Sequence, residues 1–386
     1  METPAIVIPC YQRPGSLRRL LDSLLRADYG ERSEVPLVLS LEGEATSEVR
    51  EVARALNWPH GKKRLIEHRA RKGLAQHILS CGDLTEEYGS VIILEDDLLA
   101  ARPFYRWACE ALTFYANEPQ VGGISLWSPN RSETAFRGFT PMADGYDNFF
   151  AQFPSSWGQA WTRDQWRAFR RWLMSRGEQT ATDPRVPPIV RGWPEDSWKK
   201  GFCAYQVDRQ RYFVFPRISQ TALFGELGAH HLGENLRHRP SLALTWATPR
   251  LARLDQSEAI YDACLQPLPG TLKAWQPHLR DYDFEVDLNG DKDAAAIKAP
   301  YCLTCRAPTD SICSFGAALV PDEMNIIHAI PGNAFGLCPT SQRLPEIPAA
   351  ERLRRMRAGE MLPFARGLLS LEVRAWFERF GNGSKS

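Results

Sequence analysis

The chain has 386 residues, 44% hydrophobic and 24% charged, and 47 Lys and Arg against 46 Asp and Glu leave a formal charge of +1. That length predicts two domains, or one domain with a large appendage, and the charge balance excludes a general nucleic-acid binder. No run approaches the ~20 apolar residues of a membrane span, residues 5–8 lack the flanks of a signal peptide, and nine scattered cysteines suit reduced thiols, so a cytoplasmic protein is expected.

Ala5-Ile6-Val7-Ile8-Pro9 predicts a short strand, and residues 10–15 a loop that delivers Ser16 as a helix N-cap. Leu17, Leu20, Leu21, Leu24 and Leu25 then share one helical face. Residues 35–41 predict a second buried strand, ending in Glu42-Gly43-Glu44, and residues 47–56 an amphipathic helix. Strand, helix, strand, helix makes a parallel α/β sheet, whose ligands bind beyond the carboxyl ends of the strands. His68-Arg69-Ala70-Arg71-Lys72-Gly73 follows. Alone it reads as an exposed basic loop; beside such a sheet edge, His68, Arg69 and Lys72 suit the charge of a diphosphate, and Gly73 permits close backbone approach.

Val91-Ile92-Ile93-Leu94 runs straight into Glu95-Asp96-Asp97. A strand buried on both faces would end there, and three adjacent carboxylates at such an end call for a cation. The alternatives are a solvated acidic turn or a magnesium or manganese ion held by one or two carboxylates plus substrate phosphates. Residues 103–115 predict a helix and residues 121–127 another strand. The spacing of Trp157 and Trp161 is helical or turn-like, while Trp166, Phe169 and Leu173 predict a helix face packed on the sheet. Asp196, in the turn-rich, aromatic stretch 192–198, is either a catalytic base or a helix N-cap, with Glu195 as the fallback base.

Residues 282–288 alternate apolar and acidic, the pattern of a half-exposed strand. Cys302 and Cys305, with Cys313, His328 and Cys338 downstream, fit either a zinc site or a short strand at 301–306. Residues 348–380 predict a basic amphipathic helix, suited to an anionic membrane surface or to packing on the rest of the protein. The expected organisation is a catalytic domain at 1–245, a mixed-β appendage on the acceptor side at 246–345, and a helical tail at 346–386.

The order of motifs from Pro9-Cys10-Tyr11-Gln12-Arg13-Pro14 through Leu41-Glu42, Glu67-His68-Arg69, Gly73 and Glu95-Asp96-Asp97 resembles N-acetylglucosaminyltransferase I and its relatives, inverting GT-A glycosyltransferases. The resemblance continues through Ser125-Leu126-Trp127, Trp157-Gly158, Asp196-Ser197-Trp198 and residues 216–225 to His230-His231. It implies a GT-A fold, a Rossmann-like nucleotide-sugar domain with a mixed, mostly parallel sheet, and a UDP-sugar donor with Mn2+ or Mg2+. Pro9, Arg13 and Glu42 would lie at the uridine, Glu42 standing where relatives carry Asp. His68 would meet the nucleotide, Asp96 the ribose or sugar and Asp97 the metal, with Lys72 among the donor-binding residues and Glu95 there too, orienting the turn. Asp196 would be the catalytic base, and His231 would fall in a loop over the diphosphate, where its bland alternative is a loop histidine without a ligand. Glu195 stands where the relative has an aromatic residue against the donor sugar. The expected activity is transfer of a sugar, N-acetylglucosamine by resemblance, to a glycan or lipid-linked glycan. The other reading is a non-catalytic nucleotide-sugar- or glycan-binding relative of the same fold.

Overall fold

The computed structural model describes residues 3–135, 137–176, 182–195, 197–223, 239–306 and 311–341. The tail expected at 346–386 lies outside them, as do Asp196 and the His230-His231 pair. Among the described residues no helix is long and apolar enough to cross a membrane.

The chain folds as a mixed α/β protein with a large, mainly parallel sheet and a smaller mixed one. Its first part alternates β1 (Ala5–Cys10), α1 (Pro14–Leu25), β2 (Leu37–Leu41), α2 (Ser47–Ala55), β3 (Lys63–Glu67), α3 (Leu74–Gly82) and the short α4 (Thr85–Tyr88). β4 (Ser90–Ile93), β5 (Leu98–Ala100), α5 (Phe104–Phe114), β6 (Val121–Ser125), β7 (Asn148–Ala151) and β8 (Gln159–Thr162) follow. Then come α6 (Arg163–Arg176), α7 (Pro188–Arg191), α8 (Trp198–Asp208), β9 (Tyr212–Pro216), β10 (Thr221–Leu223) and β11 (Ile260–Tyr261). The last part contains α9 (Pro269–Trp275), β12 (Phe284–Asp287), β13 (Tyr301–Thr304), β14 (Cys313–Phe315), α10 (Glu323–Ile327) and β15 (Phe335–Pro339).

Among the described residues the large sheet has nine strands in the order β11-β7-β9-β6-β8-β4-β1-β2-β3. β3, β2, β1 and β4 are mutually parallel neighbours, whereas β8 runs against β4 and β6. Its edge strand β11, at 260–261, comes from beyond residue 245. One face is covered by Leu17, Leu20, Leu21 and Leu24 of α1 with Phe104, Trp107 and Leu112 of α5, the other by Ile78 of α3, Trp166 and Phe169 of α6 and Phe202 of α8. Central strands covered on both faces must be largely apolar, as the fully buried β1, β2 and β4 are, with Ser40 a polar exception in β2.

Three local expectations change. α1 starts at Pro14, whose fixed φ suits the first turn, so Arg13 is its N-cap and Ser16 is buried inside the first turn. Trp161 lies in β8, where burial against Trp166 and Phe202 overrides its turn-like spacing. Of the alternating stretch 282–288, only 284–287 is a strand, and Asp287 is completely buried because Arg306 pairs with it.

β12, β13, β15 and β14 form the second sheet, over a core that includes Leu272, Phe284, Leu303 and Leu337. It docks through Arg191 on Asp293, Arg137 on Asp322 at 3.1 Å, and the Tyr261 hydroxyl donating to Glu323 at 2.8 Å. Cys302 and Cys338 sit opposite each other on β13 and β15, and none of the nine cysteines forms a disulfide. Of the short strand expected at 301–306, β13 covers 301–304 and Cys305 follows it; among the described residues no three His, Cys, Asp or Glu side chains are grouped to hold a metal.

Gly123 marks the tightest place in the large sheet. A Cβ there would lie 2.2 Å from the Trp161 indole nitrogen and 2.4 Å from the Phe213 ring, both in fully buried residues. Overpacking of this kind costs about 1–3 kcal/mol. Gly123→Ala is therefore expected to lower the thermal midpoint by several degrees, checked by calorimetry against the wild type.

Candidate functional site

The carboxyl ends of β4, β1, β2 and β3 lie side by side and carry, in that order, Glu95–Asp97, Tyr11–Arg13, Glu42 and His68. β1 and β4 stay paired only as far as Val7↔Ile93, with the Leu94 N–H donating to the Val7 carbonyl at 3.0 Å. Pro9, two residues on, points toward the same side and has no N–H to lose. A proline in a central strand is thus tolerated where the two strands part, and the parting opens a crevice.

Arg13 bridges the acids across it. Its Nη2 lies 2.7 Å from Asp96 Oδ1 and its Nη1 2.5 Å from Asp97 Oδ2, while the Tyr11 N–H donates to Asp96 Oδ2 at 3.4 Å. Burial pushes Asp96 up to about 6 against the pull of Arg13. Burial and the neighbouring Asp97 push the Glu95 carboxyl up to about 8, with Lys199 and Arg13 pulling the other way. Asp97 Oδ1 is buried and has no hydrogen-bond partner among the described residues. A carboxyl oxygen without a donor has lone pairs free for a cation, and a hard divalent ion that takes one protein carboxylate and the oxygens of a diphosphate fits there.

The second half of the site is built on Glu42, one of the few buried acids. Its Oε1 accepts from the backbone N–H of Gly43 at 2.9 Å and of Lys72 at 2.8 Å, and its Oε2 from Gly73 at 3.1 Å. Burial raises its pKa, but these amides and His77 outweigh that and hold it below the usual carboxylate range. Glu42 therefore pins the basic loop 68–73 to the end of β2, with its hydrogen bonds given to the backbone. Gly43 lets the loop approach: a Cβ there would sit 2.3 Å from the Ala70 carbonyl carbon. Gly73, with φ +76°, turns the chain from this loop into α3. The side chain of Lys72 is exposed at the rim.

Beside Glu42 stand two residues that sequence reading missed. Ser40 Oγ lies 3.0 Å from His68 Nε2 and 2.8 Å from His77 Nε2, and His77 Nδ1 lies 3.7 Å from Glu42 Oε2. Burial and Lys72 lower the pKa of His68, and burial pushes His77 down to about 4. Nothing in the sequence marks His77, which reads as one more residue of an apolar helix; only the packing of α3 on the sheet brings it to Ser40, as the pairing of β2 with β3 brings His68.

On the far lip, Glu195 is mostly exposed and lies 2.5 Å from the Nζ of Lys200, whose ammonium also donates to the Trp193 carbonyl at 2.9 Å. Lys199 Nζ stands 4.9 Å from the Trp193 ring centre, 5.5 Å from that of Phe153 and 3.4 Å from Glu133. A buried lysine in α8 was the available signal for this lip. The N-cap of α8 is Ser197, which makes no side-chain cap hydrogen bond, and Asp196 and His231 lie outside the described residues.

No family model matches the sequence, and no curated protein matches it. Solved structures do. A mannosyltransferase from Pyrobaculum calidifontis, in complex with GDP-Man and Mn2+, is 20% identical over 44% of this chain and 46% of its own, with a TM-score of 0.33. S. aureus TarS in complex with UDP-GlcNAc is 10% identical over 60% of each chain, with a TM-score of 0.38. GalNAc-T7 with UDP, GalNAc and Mn2+ is 12% identical over 60% of this chain and 46% of its own, with a TM-score of 0.40. The chain thus spans between 46% and 60% of the length of these proteins. At such TM-scores none of the likenesses assigns an activity.

His77 carries a pH signature. Its folded value of about 4 lies below the unfolded 6.5, so the unfolded chain binds the proton first. The stability it contributes is complete above pH 6.5 and is lost as pH falls toward 4, a change of about 3 kcal/mol. His77→Asn is expected to lose about that much less over the interval, read from urea unfolding at each pH.

Proposed function

We propose that the protein is a glycosyltransferase that takes a nucleotide-sugar donor, a UDP-sugar, and transfers its sugar with inversion to a glycan or lipid-linked glycan hydroxyl. One observation carries this reading: the four adjacent strand ends hold acids with an unpartnered buried oxygen at one end and a histidine and basic loop at the other. Three inter-strand spacings separate β4 from β3, about 14 Å, which accommodates a nucleoside diphosphate laid along the sheet edge. The order of motifs in the sequence supports the same reading.

Asp97 would hold the divalent metal through Oδ1, and that metal when bound supplies Lewis-acid stabilisation to the leaving diphosphate. Arg13 orients Asp96 and Asp97 through one guanidinium nitrogen on each. Asp96 would meet the ribose or sugar, His68 and the Glu42-pinned loop the uridine, and Lys72 and His231 the diphosphate charge. Asp196 would take the proton of the acceptor hydroxyl as that oxygen bonds to the anomeric carbon and the bond to the diphosphate breaks, its electron pair leaving with the phosphate. Glu195, tied to Lys200, would shape the donor-sugar side. N-acetylglucosamine is the sugar the resemblance favours.

Incubation with a panel of UDP-sugars and manganese, with release of UDP measured, tests the proposal. UDP release is expected with one donor. Asp97→Ala should remove metal-dependent donor binding, and Asp196→Ala should spare donor binding and lower transfer by about 10²- to 10⁴-fold. No release with any donor would favour the binding relative, and transfer surviving in the Asp196 variant would sink the base assignment.

The basic sequence at 348–380 would bring the enzyme to an anionic membrane and its lipid-linked acceptor. The full chain is expected to float with anionic liposomes and the chain without residues 348–386 to stay behind; equal behaviour of the two counts against membrane contact.

A further inference from the structure

The contacts around Ser40 go beyond holding a loop. Ser40 is buried in β2 and has one hydroxyl proton to share between two imidazoles, His77 Nε2 at 2.8 Å and His68 Nε2 at 3.0 Å. A neutral imidazole has one N–H and one lone pair, and the hydroxyl can accept twice. Besides an arrangement in which both rings donate to Ser40 Oγ and its proton turns to Cys81, which needs the proton of His77 on Nε2, the two rings and the hydroxyl can be ordered in two directions. In one, the hydroxyl donates to His77 and accepts from His68; in the other it does the reverse.

Glu42 chooses between them. Its Oε2 faces His77 Nδ1 at 3.7 Å, and its charge is held in place by three backbone amides. A proton on His77 Nδ1 is attracted to that carboxylate, whereas a lone pair there is repelled by it. His77 Nε2 is then the acceptor, the Ser40 hydroxyl donates to it, and Ser40 Oγ accepts from His68 Nε2–H. His68 is left with a bare lone pair on Nδ1. The His68 backbone N–H donates to the Leu41 carbonyl at 3.0 Å, and the His77 ring stands perpendicular to the His68 ring at 5.2 Å, so the imidazole is fixed at the end of β3.

We propose that Glu42, His77 and Ser40 are positioning residues that fix His68 as a hydrogen-bond acceptor toward the crevice, and that this makes the site select uracil over cytosine. The inference rests on the reading of His68 as the nucleobase contact. The edge of uracil offers a single N–H, at N3, so an acceptor that meets the base must meet that group. Cytosine presents a lone pair at the same position and carries its donor, the 4-amino group, one position along the edge, so a His68 held opposite N3 faces a lone pair there and leaves both unsatisfied. Glu42 thereby acts on the base through two intervening side chains, without touching it.

Titration calorimetry of the full chain with UDP and with CDP, in manganese, tests this alongside the two-bond nitrogen–proton spectrum of its imidazoles. The wild type is expected to prefer UDP by about 10- to 100-fold. Ser40→Ala should still bind UDP but prefer it by less than about 3-fold, because His68 is then free to present either nitrogen. A purely structural role for Ser40 would weaken both nucleotides alike and leave their ratio. The wild-type spectrum should show His68 protonated at Nε2 alone, and it decides the matter even if the Ser40 variant does not fold. An unchanged ratio in Ser40→Ala, or a proton on His68 Nδ1, overturns the inference and leaves the functional reading standing. Binding of neither nucleotide by the wild type overturns both.

Discussion

Everything at the crevice depends on keeping two carboxylates side by side at the buried end of β4. Asp96 and Asp97 are 3% and 8% exposed, and like charges so placed repel and lose their hydration. The Arg13 guanidinium answers this with one nitrogen on each acid, and it reaches them only because β1 and β4 part after Val7. The proline in β1 and the helix that starts at Pro14 follow from the same need. They end the ladder and turn the chain so that the residue between strand and helix faces the acids.

Much of this was legible. Apolar runs such as 91–94 and 37–41 can only be strands covered on both faces, and acids at their ends stand out because burial there demands a reason. The alternation of strand and helix fixed which ends share an edge. What stayed hidden depends on pairing at long range. β8 runs antiparallel between β4 and β6, and no local pattern distinguishes an inserted strand from a turn around Trp161. β3 is only half-buried and charged, because it is an edge strand, so it carries no apolar signal. Ser40 reads as a polar interruption in a strand until the fold brings two histidines to it.

The two halves of the crevice are stabilised by different physics. The acid end rests on ionic pairing with Arg13, open to exchange with another cation. The Glu42 end rests on charge-assisted hydrogen bonds from three backbone amides, which no ligand replaces without unfolding the loop. One end is thus adaptable and the other preformed, a division suited to anchoring one part of a ligand before the rest is engaged.

The exit from the acid turn has a wider bearing. β5, which begins directly after Asp97, pairs antiparallel with β10, setting Leu98 against Leu223 and Ala100 against Thr221. The acids are therefore fastened on one side to the first strands and on the other to a segment from the far half of the sequence. The acidic edge is not an autonomous module, although it is encoded in the first hundred residues. A ligand that tightens the turn also draws free energy from the ordering of the later half, so occupancy of the crevice and cohesion of the whole sheet are linked equilibria.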